Sequence, residues 1–370
     1  VIATDNETSS MSTVAGADVY NGTNIAANTA RMNIPRNSAI DKDGNYYVAD
    51  QGNHLIRKID TNGVITTVAG NGTKGYYGSD TTATHAPLNN PRAVAVDSKY
   101  NLYISDTGNN LIKRVDANGI MSSFAGIQSS SGYSGDGGPA SSAKIDFPYQ
   151  IAVDASDNIY FADNENHVIR KIDSDGNIST VAGKGENSGY SGDGGQATDA
   201  NLNSPLGVAI DADGNLYIGD YSNHVIRKVD TNGVITTLAG QGGVAGYMVG
   251  DIGTSGKLNY PSVIAVDSKG NVYFCDTGNN VVSRITTDGY LQHVVGSNSA
   301  GYSSTDSIAY QAEIDRPYGI TIDANDNIYL SDSWNYLVRK ITPRTSLKVP
   351  SEYGTIGTAI GASFGGDTIL

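Results

Sequence analysis

Residues 35–70 read PRNSAIDKDGNYYVADQGNHLIRKIDTNGVITTVAG, and residues 91–126 read PRAVAVDSKYNLYISDTGNNLIKRVDANGIMSSFAG. Four further copies of this unit begin at Pro148, Pro205, Pro261 and Pro317. The six starting prolines are separated by 56, 57, 57, 56 and 56 residues. A fixed period of this kind indicates a repeat architecture, in which each unit forms one supersecondary element.

Each unit reads as four short β-strands separated by turns. In the second unit the first three strands are AVAVD, NLYISD and LIKRVD, and the first unit ends in VITTVAG. The turns carry Gly, Asn and Asp, which tolerate positive φ. Asp outnumbers Glu 33 to 5 and there are 45 Gly, a composition that favours turns over helices. Short strands repeated within a longer period predict a β-propeller rather than a sandwich.

The sixth unit lacks its fourth strand, because after Ile341 the chain continues as TPRTSLKVP. Residues 11–16 read MSTVAG, a fourth-strand sequence with no unit before it. We therefore predict an all-β, six-bladed propeller of four-stranded blades, closed by an N-terminal strand that contains Met11, Thr13 and Val14. Closure removes free sheet edges. The strand completes either its own ring or the ring of a neighbouring molecule.

The predicted organisation has three parts. Residues 1–10 form an N-terminal arm, residues 11–344 form the propeller, and residues 345–370 form a tail. The tail is rich in small and β-branched residues, so it either adds as a strand to another sheet or serves as a linker.

Several motifs carry a resemblance to a known family. The Asn-His-Leu at 53–55, the Asn-His-Val at 166–168 and 223–225, and the frame (V/I)-D-x-x-G-N-x-Y-(V/I)-A-D resemble the NHL-repeat propellers. The YSGDGG connectors look like those of the long-repeat bacterial and extracellular branch of that family. The resemblance covers residues 11 to about 342 and implies the fold. It implies no single function, since the family includes lyases, RNA binders, receptor sensor domains and adhesion modules.

Charge and composition restrict the partners. The formal net charge is −14 and no run approaches 18 apolar residues, so we predict neither a nucleic-acid partner nor a membrane span. Abundant Asn, Gly, Ser and Thr favour a secreted or cell-surface protein. In that compartment four sequons are candidates for glycosylation: Asn6, Asn21, Asn71 and Asn177.

Residues that recur in every unit are interpreted as structural. The aspartates that end the first and second strands are expected to accept hydrogen bonds from backbone N–H groups at turns. Eleven of the 24 basic residues lie in the third strands, and we interpret them as a solvated belt paired with Asp. These residues are Arg57, Lys58, Lys113, Arg114, Arg170, Lys171, Arg227, Lys228, Arg284, Arg339 and Lys340.

The sequence contains no recognisable catalytic constellation. Related propeller hydrolases hold a metal in the central channel, but the residues just after the six prolines include no carboxylate; they are Arg36, Arg92, Tyr149, Leu206, Ser262 and Tyr318. The amidating lyases of the family use a zinc held by histidines, and His54, His167 and His224 occupy equivalent positions on different blades, where convergence is difficult. Cys275 is interpreted as a buried, inert thiol. We predict no enzyme activity, no metal and no cofactor.

The unrepeated residues are the best candidates for partner contacts. Glu165, Tyr221 and Trp334 lie on turns after second strands, and Trp334 either contacts a partner or folds onto Tyr336. The connectors add Tyr133, Asp136, Tyr190 and Asp193.

The predicted function is a non-enzymatic extracellular scaffold that binds a protein or a glycan or associates with itself. Its terminal strands would allow assembly into a fibre or surface layer. The alternatives are a propeller lyase or hydrolase and the sensor domain of a larger receptor.

Overall fold

The protein is described by a computed structural model, which covers residues 9–15, 23–78, 80–185, 187–250, 252–304 and 308–342 together with the backbone of residues 346–347 and 368–369. The predicted sequons at Asn6 and Asn21 and most of the predicted tail lie outside the described residues. In the described part of the chain no helix has the length and apolar character needed to cross a membrane.

The described residues form 28 strands. In chain order they are β1 Ser10–Ala15, β2 Ile25–Ala26, β3 Pro35–Ile40, β4 Tyr46–Asp50, β5 Leu55–Ile59, β6 Val64–Ala69, β7 Thr81–Thr82, β8 Ala93–Val96, β9 Leu102–Asp106, β10 Leu111–Val115, β11 Ile120–Ala125, β12 Pro148–Val153, β13 Ile159–Asp163, β14 Val168–Ile172, β15 Ile178–Ala182, β16 Gly207–Ile210, β17 Leu216–Asp220, β18 Val225–Val229, β19 Ile235–Ala239, β20 Pro261–Val266, β21 Val272–Asp276, β22 Val281–Ile285, β23 Leu291–Val295, β24 Pro317–Ile322, β25 Ile328–Asp332, β26 Leu337–Thr342, β27 Ser346–Leu347 and β28 Thr368–Ile369.

Short 3₁₀ turns of three residues connect some of these strands. They span Ala27–Thr29, Gln51–Asn53, Ala83–His85, Thr107–Asn109, Ala140–Ser142, Ala197–Asp199, Tyr221–Asn223, Gly253–Ser255, Thr277–Asn279, Ala309–Gln311 and Ser333–Asn335.

The strands form six antiparallel blades, which confirms the predicted propeller. The blades begin with β3, β8, β12, β16, β20 and β24, and each of these first strands contacts the next around a closed ring. The second strands are buried on both sides, because each blade lies between two others. In β9 all five residues from Leu102 to Asp106 are buried. Hydrophobic side chains between neighbouring blades form the core.

The N-terminal strand closes the ring within the same chain. β1 pairs antiparallel with β26, so that Met11 lies opposite Ile341 and Thr13 opposite Arg339. The register shifts between Thr13 and Ala15, and the intervening Val14 packs against the core between blades six and one. Met11 and Ala15 are fully buried.

Connectors also cover part of each outer edge. β2 pairs with β6 and β7 pairs with β11, while single bridges join Pro139 to Asn177 and Gln196 to Val234. Such short additions protect outer strands from pairing with other molecules.

The substitution Met11→Ala is expected to lower the free energy of unfolding by about 2–5 kcal/mol, because it removes a fully buried side chain from the ring seam. Urea unfolding measures the change, and the exposed neighbour in Ser12→Ala serves as the control with a change within about 0.5 kcal/mol. The unfolding midpoint should not depend on protein concentration. A midpoint that rises with concentration would show that a neighbour supplies the strand.

Candidate functional site

A buried carboxylate ends the second strand of every blade and holds the connector that leads into that blade. In blade two, Asp106 Oδ1 accepts the backbone N–H of Asn89 at 2.7 Å, and Oδ2 accepts the side-chain amide of Asn109 at 2.7 Å. The backbone bond recurs in all six blades at 2.7 or 2.8 Å. The predicted structural role is therefore confirmed for Asp50, Asp106, Asp163, Asp220, Asp276 and Asp332.

The predicted solvated belt of basic residues is wrong for the inner members of the third strands. Arg57, Arg170, Arg227 and Arg339 are fully buried, and Lys113 is nearly so. The reason is that the connector folds over these side chains. Arg170 Nη2 donates to Ser134 O at 3.2 Å and to Asp136 Oδ1 at 2.6 Å, and its guanidinium carbon lies 5.0 Å from the centroid of the Tyr133 ring.

The four connector residues predicted to contact a partner lie beside the buried arginines of blades three and four. Tyr133 Oη is 2.8 Å from Thr180 Oγ1, and Tyr190 occupies the same place beside Arg227 and Thr237. Asp193 Oδ1 accepts from Arg227 Nη2 at 2.7 Å, as Asp136 does from Arg170. A role in partner binding stays a prediction for Tyr133, Asp136, Tyr190 and Asp193.

Burial governs the titration of the anchoring carboxylates. Burial raises the pKa of Asp220 to about 7. Asn223, the Asn203 N–H and Arg227 stabilise the charged carboxylate and so oppose this rise. In blade five Ser283 replaces the arginine, and burial raises the pKa of Asp276 to about 7. There the connector Tyr247 hydroxyl meets His293 Nδ1 at 3.1 Å instead of packing on a cation.

The residue before each starting proline has an unusual backbone conformation. Its φ lies between 46° and 57° at Ile34, Asn90, Phe147, Ser204, Tyr260 and Arg316. Residues before proline normally adopt extended conformations, and bulky side chains avoid positive φ. At the five positions after Ile34, a histidine or asparagine of the preceding blade accepts the N–H of this residue. His224 Nδ1 accepts from Tyr260 at 3.1 Å, and Asn280 Oδ1 accepts from Arg316 at 2.9 Å.

Two of these strained positions open onto a cavity of about 530 Å³. We call it the aromatic pocket, after the rings of Tyr221, Tyr260, Tyr318 and Trp334 that line it. Tyr221 and Tyr260 lie 4.8 Å apart between ring centroids. Trp334 is 47 % exposed, and the guanidinium carbon of Arg316 lies 3.8 Å from its ring centroid.

We call the region around Arg36 and Tyr149 the channel mouth, and it adjoins this pocket. Arg36 stacks on Tyr318 with 4.0 Å between the guanidinium carbon and the ring centroid, and its Nη1 is 3.3 Å from Tyr149 Oη. Burial and then the neighbouring Tyr318 raise the pKa of Tyr221, which places these tyrosines in one cluster.

A glutamine obstructs the channel just below the mouth. Gln150 Nε2 donates to Ile264 O at 2.7 Å, and its Oε1 accepts the N–H groups of Val208 and Ile264 at 3.0 Å. This side chain therefore connects blade three to blades four and five. It lines a cavity of about 290 Å³ between the six first strands, whose lining surface is mostly polar.

The structure thus brings together two of the predicted partner residues, Tyr221 and Trp334. Glu165 is exposed on the corresponding turn of blade three and does not line the aromatic pocket. Trp334 lies against Arg316 rather than closing the pocket. Two of the sequons lie in the described residues: Asn71 is exposed and Asn177 is half-buried. Their glycosylation stays a prediction.

Sequence reasoning missed Tyr260, Arg316 and Tyr318 as members of the site. The signal that could have found them is the x-Pro-x segment, which reads IPR, NPR, FPY, SPL, YPS and RPY in the six units. These flanking positions vary while the surrounding repeat is constant.

The family model described as "Teneurin NHL domain" matches residues 14–77, 129–189 and 184–248, within the six blades of the structure. The chain is an NHL-repeat β-propeller. The resemblance inferred from the Asn-His-Leu and Asn-His-Val segments is confirmed.

Relatives of this NHL propeller differ widely in length. The chain is 30 % identical over 270 residues to "Protein SUPPRESSOR OF QUENCHING 1, chloroplastic" of Arabidopsis thaliana, a match that covers 69 % of this chain and 25 % of the relative. It is 27 % identical over 314 residues to "NHL repeat-containing protein 2" of Bos taurus, which covers 75 % and 42 %. The chain therefore spans less than half the length of these relatives.

A solved structure shares the fold. A gluconolactonase from Xanthomonas campestris superposes with a TM-score of 0.58 at 14 % identity, covering 92 % of this chain and 91 % of the other. At that identity the likeness concerns the fold alone. Within the described residues, no three side chains of His, Cys, Asp or Glu come together as a metal site. Cys275 is fully buried, as predicted, and burial raises the pKa of its thiol.

The substitution Arg227→Ser reproduces in blade four the arrangement of blade five. It leaves Asp220 buried without its cation, so we expect a loss of about 3–5 kcal/mol in the free energy of unfolding at pH 8. The loss should be smaller at pH 5. A carboxyl whose folded pKa exceeds its unfolded value, near 4, stabilises the fold at low pH and loses that contribution as pH rises through the folded pKa.

Urea unfolding at both pH values measures this effect. Lys228→Ser, which removes the half-buried neighbouring cation, provides the control and should show a smaller loss with little dependence on pH. An equal loss for Arg227→Ser at pH 5 and pH 8 would contradict the expected proton uptake by Asp220.

Proposed function

We propose that this NHL propeller is a non-catalytic binding module, displayed outside the cell, whose aromatic pocket receives a saccharide unit of a glycan partner. The observation that carries the proposal is the convergence of Trp334, Tyr221, Tyr260 and Tyr318 on one cavity. The extracellular setting is supported by the Asn-, Gly-, Ser- and Thr-rich composition.

The shape and chemistry of the pocket favour a ring-shaped polar ligand. A pyranose has apolar C–H faces and a hydroxylated rim, so flat aromatic rings suit its faces and amides suit its rim. The pocket combines its four rings with the amide side chains of Asn259 and Asn280 and the charged side chains of Asp315 and Arg316. A cavity of about 530 Å³ has the size that holds small ligands, which commonly lie between about 300 and 1,000 Å³.

The unrepeated nature of the pocket also supports binding. Gly52 and Gly108 stand where blade six carries Trp334, so the fold itself does not require an aromatic ring there. Large amphipathic side chains that are held partly exposed are typical of recognition surfaces.

Self-assembly is not needed for this function. β1 of the same chain completes blade six, so the described propeller offers no vacant fourth-strand position to a neighbour. Fibre or layer formation through terminal strands stays a prediction.

The substitutions Trp334→Ala and Tyr260→Asn should weaken glycan binding at least about tenfold, which corresponds to about 1.4 kcal/mol of lost contact. Asn is chosen at position 260 because Asn90 adopts the same positive φ at the equivalent place. Binding is measured with the purified chain on a glycan array and then by calorimetry with the glycans that bind. The control is Tyr77→Ala, since Tyr77 is exposed to the same 47 % as Trp334 but lies outside the pocket.

Three results would contradict the proposal. The first is wild-type binding that both pocket variants retain. The second is binding to proteins only, with no glycan retained on the array. The third is chemical conversion of a bound glycan, detected by mass spectrometry, which would support the lyase or hydrolase alternative instead.

A further inference from the structure

Two arginines converge at the channel mouth beside the aromatic pocket. Arg36 and Arg92 follow the starting prolines of blades one and two, and Tyr149 lies between their guanidinium groups. Tyr149 Oη is 3.3 Å from Arg36 Nη1, and the centroid of its ring lies 5.2 Å from the guanidinium carbon of Arg92. Burial lowers the pKa of Arg92; Tyr149 opposes this shift, and the positive charge of Arg36 adds to it.

Neither mouth arginine has a carboxylate partner among the described residues. Arg36 Nε donates to the Gln51 side-chain oxygen at 2.5 Å, and its guanidinium stacks on Tyr318. The guanidinium carbon of Arg92 lies 4.4 Å from the Phe147 ring centroid. Arg92 Nε has no hydrogen-bond partner, as is also true of Nε in Arg170 and Arg227, so the mouth differs from the outer sites in its lack of carboxylates. Both side chains are half-buried, and cationic groups that are partly removed from water are stabilised by an anionic partner.

The outer arginines of the same fold provide an internal comparison. Arg170 pairs with Asp136 at 2.6 Å and Asp163 at 3.3 Å, and Arg227 pairs with Asp193 at 2.7 Å and Asp220 at 3.6 Å. Two carboxylates thus neutralise each of these buried arginines. The contrast at the mouth is notable in a chain with 38 acidic residues and a formal net charge of −14.

We infer that the channel mouth is an anion site in which Arg36 and Arg92, both in contact with the buried Tyr149, receive the carboxylate of an acidic sugar. This inference rests on the proposed function, since the sugar ring would occupy the aromatic pocket. Tyr318 connects the two places, because its ring lines the pocket and carries Arg36 on one face. Guanidinium groups match the planar geometry of a carboxylate and bind it through paired N–H donors.

The obstructed channel supports an end-on position for the carboxylate. Gln150 follows Tyr149 directly, and its side-chain amide bonds to backbone groups of blades four and five. A group that enters the mouth therefore stops at the level of the arginines instead of passing along the axis.

The test uses an array printed with glycans that end in a uronic or sialic acid, together with the methyl ester of each. The ester keeps the shape of the sugar and removes its charge. The wild-type chain should bind the acids at least tenfold more tightly than the esters. Arg36→Gln and Arg92→Gln should abolish the preference, so that the ratio of acid to ester affinity falls from at least tenfold to about one. Arg36→Lys, which keeps the charge, should retain part of the preference.

Controls separate this inference from the proposed function. Arg31→Gln removes an exposed arginine away from the mouth and should leave the acid preference intact. Trp334→Ala should weaken acids and esters alike. If esters bind as tightly as acids and Trp334→Ala still abolishes binding, the anion site is refuted and the glycan pocket stands. If Trp334→Ala has no effect, the proposed function fails.

Two further readings complete the test. Circular dichroism and thermal unfolding identify any variant that has lost its fold. If Arg92→Gln is such a variant, the comparison of Arg36→Gln with Arg36→Lys decides whether the site binds an anion. Binding that is restricted to sulfated glycans would overturn the assignment to a carboxylate.

Discussion

The buried aspartate at the end of each second strand is the interaction on which the rest of the structure depends. Its two oxygens bind the connector backbone and the asparagine of the following turn, as Asp106 does with Asn89 and Asn109. These bonds fix where the connector enters the next first strand. The turn in turn presents a histidine or asparagine that holds the residue before the following proline in a left-handed conformation. The position of the connector and the conformation of the residue before each proline therefore both depend on this repeated carboxylate.

The repeated carboxylate also explains why the outer arginines are buried. A carboxylate inside the blade is unfavourable unless it is hydrogen-bonded and charge-paired. In blades three and four the arginine supplies that charge, while a second aspartate from the connector and a tyrosine ring cover its other side. In blade five Ser283 stands in place of the arginine, and the connector Tyr247 contacts His293 instead of a cation. The difference shows that the cation is a variable component and the carboxylate a constant one.

Sequence alone predicted the fold because every feature needed for it occurs six times. Turn residues, strand lengths and the missing fourth strand of the last unit can all be compared within the chain. Burial of the third-strand arginines could not be predicted in this way, because it depends on connector groups about 35 residues earlier, such as Ser134 for Arg170. Tyr221 and Trp334 stood out because they are not repeated. Tyr260 and Arg316 did not, because the variable residues beside the starting prolines mark them only once their place at the pocket is known, and their positive φ depends on hydrogen bonds to the preceding blade.

The antiparallel pairing of β1 with β26 has a mechanical consequence. Ser10 begins β1 and lies opposite Thr342, which ends β26. The chain therefore enters β1 and leaves β26 at the same end of this strand pair. A pulling force applied between these two points of the chain would load the hydrogen bonds one at a time, as in opening a zipper, instead of all together in shear. The seam that completes the ring is therefore its weakest point under tension, and a partner that exerted force on this propeller would open it there first.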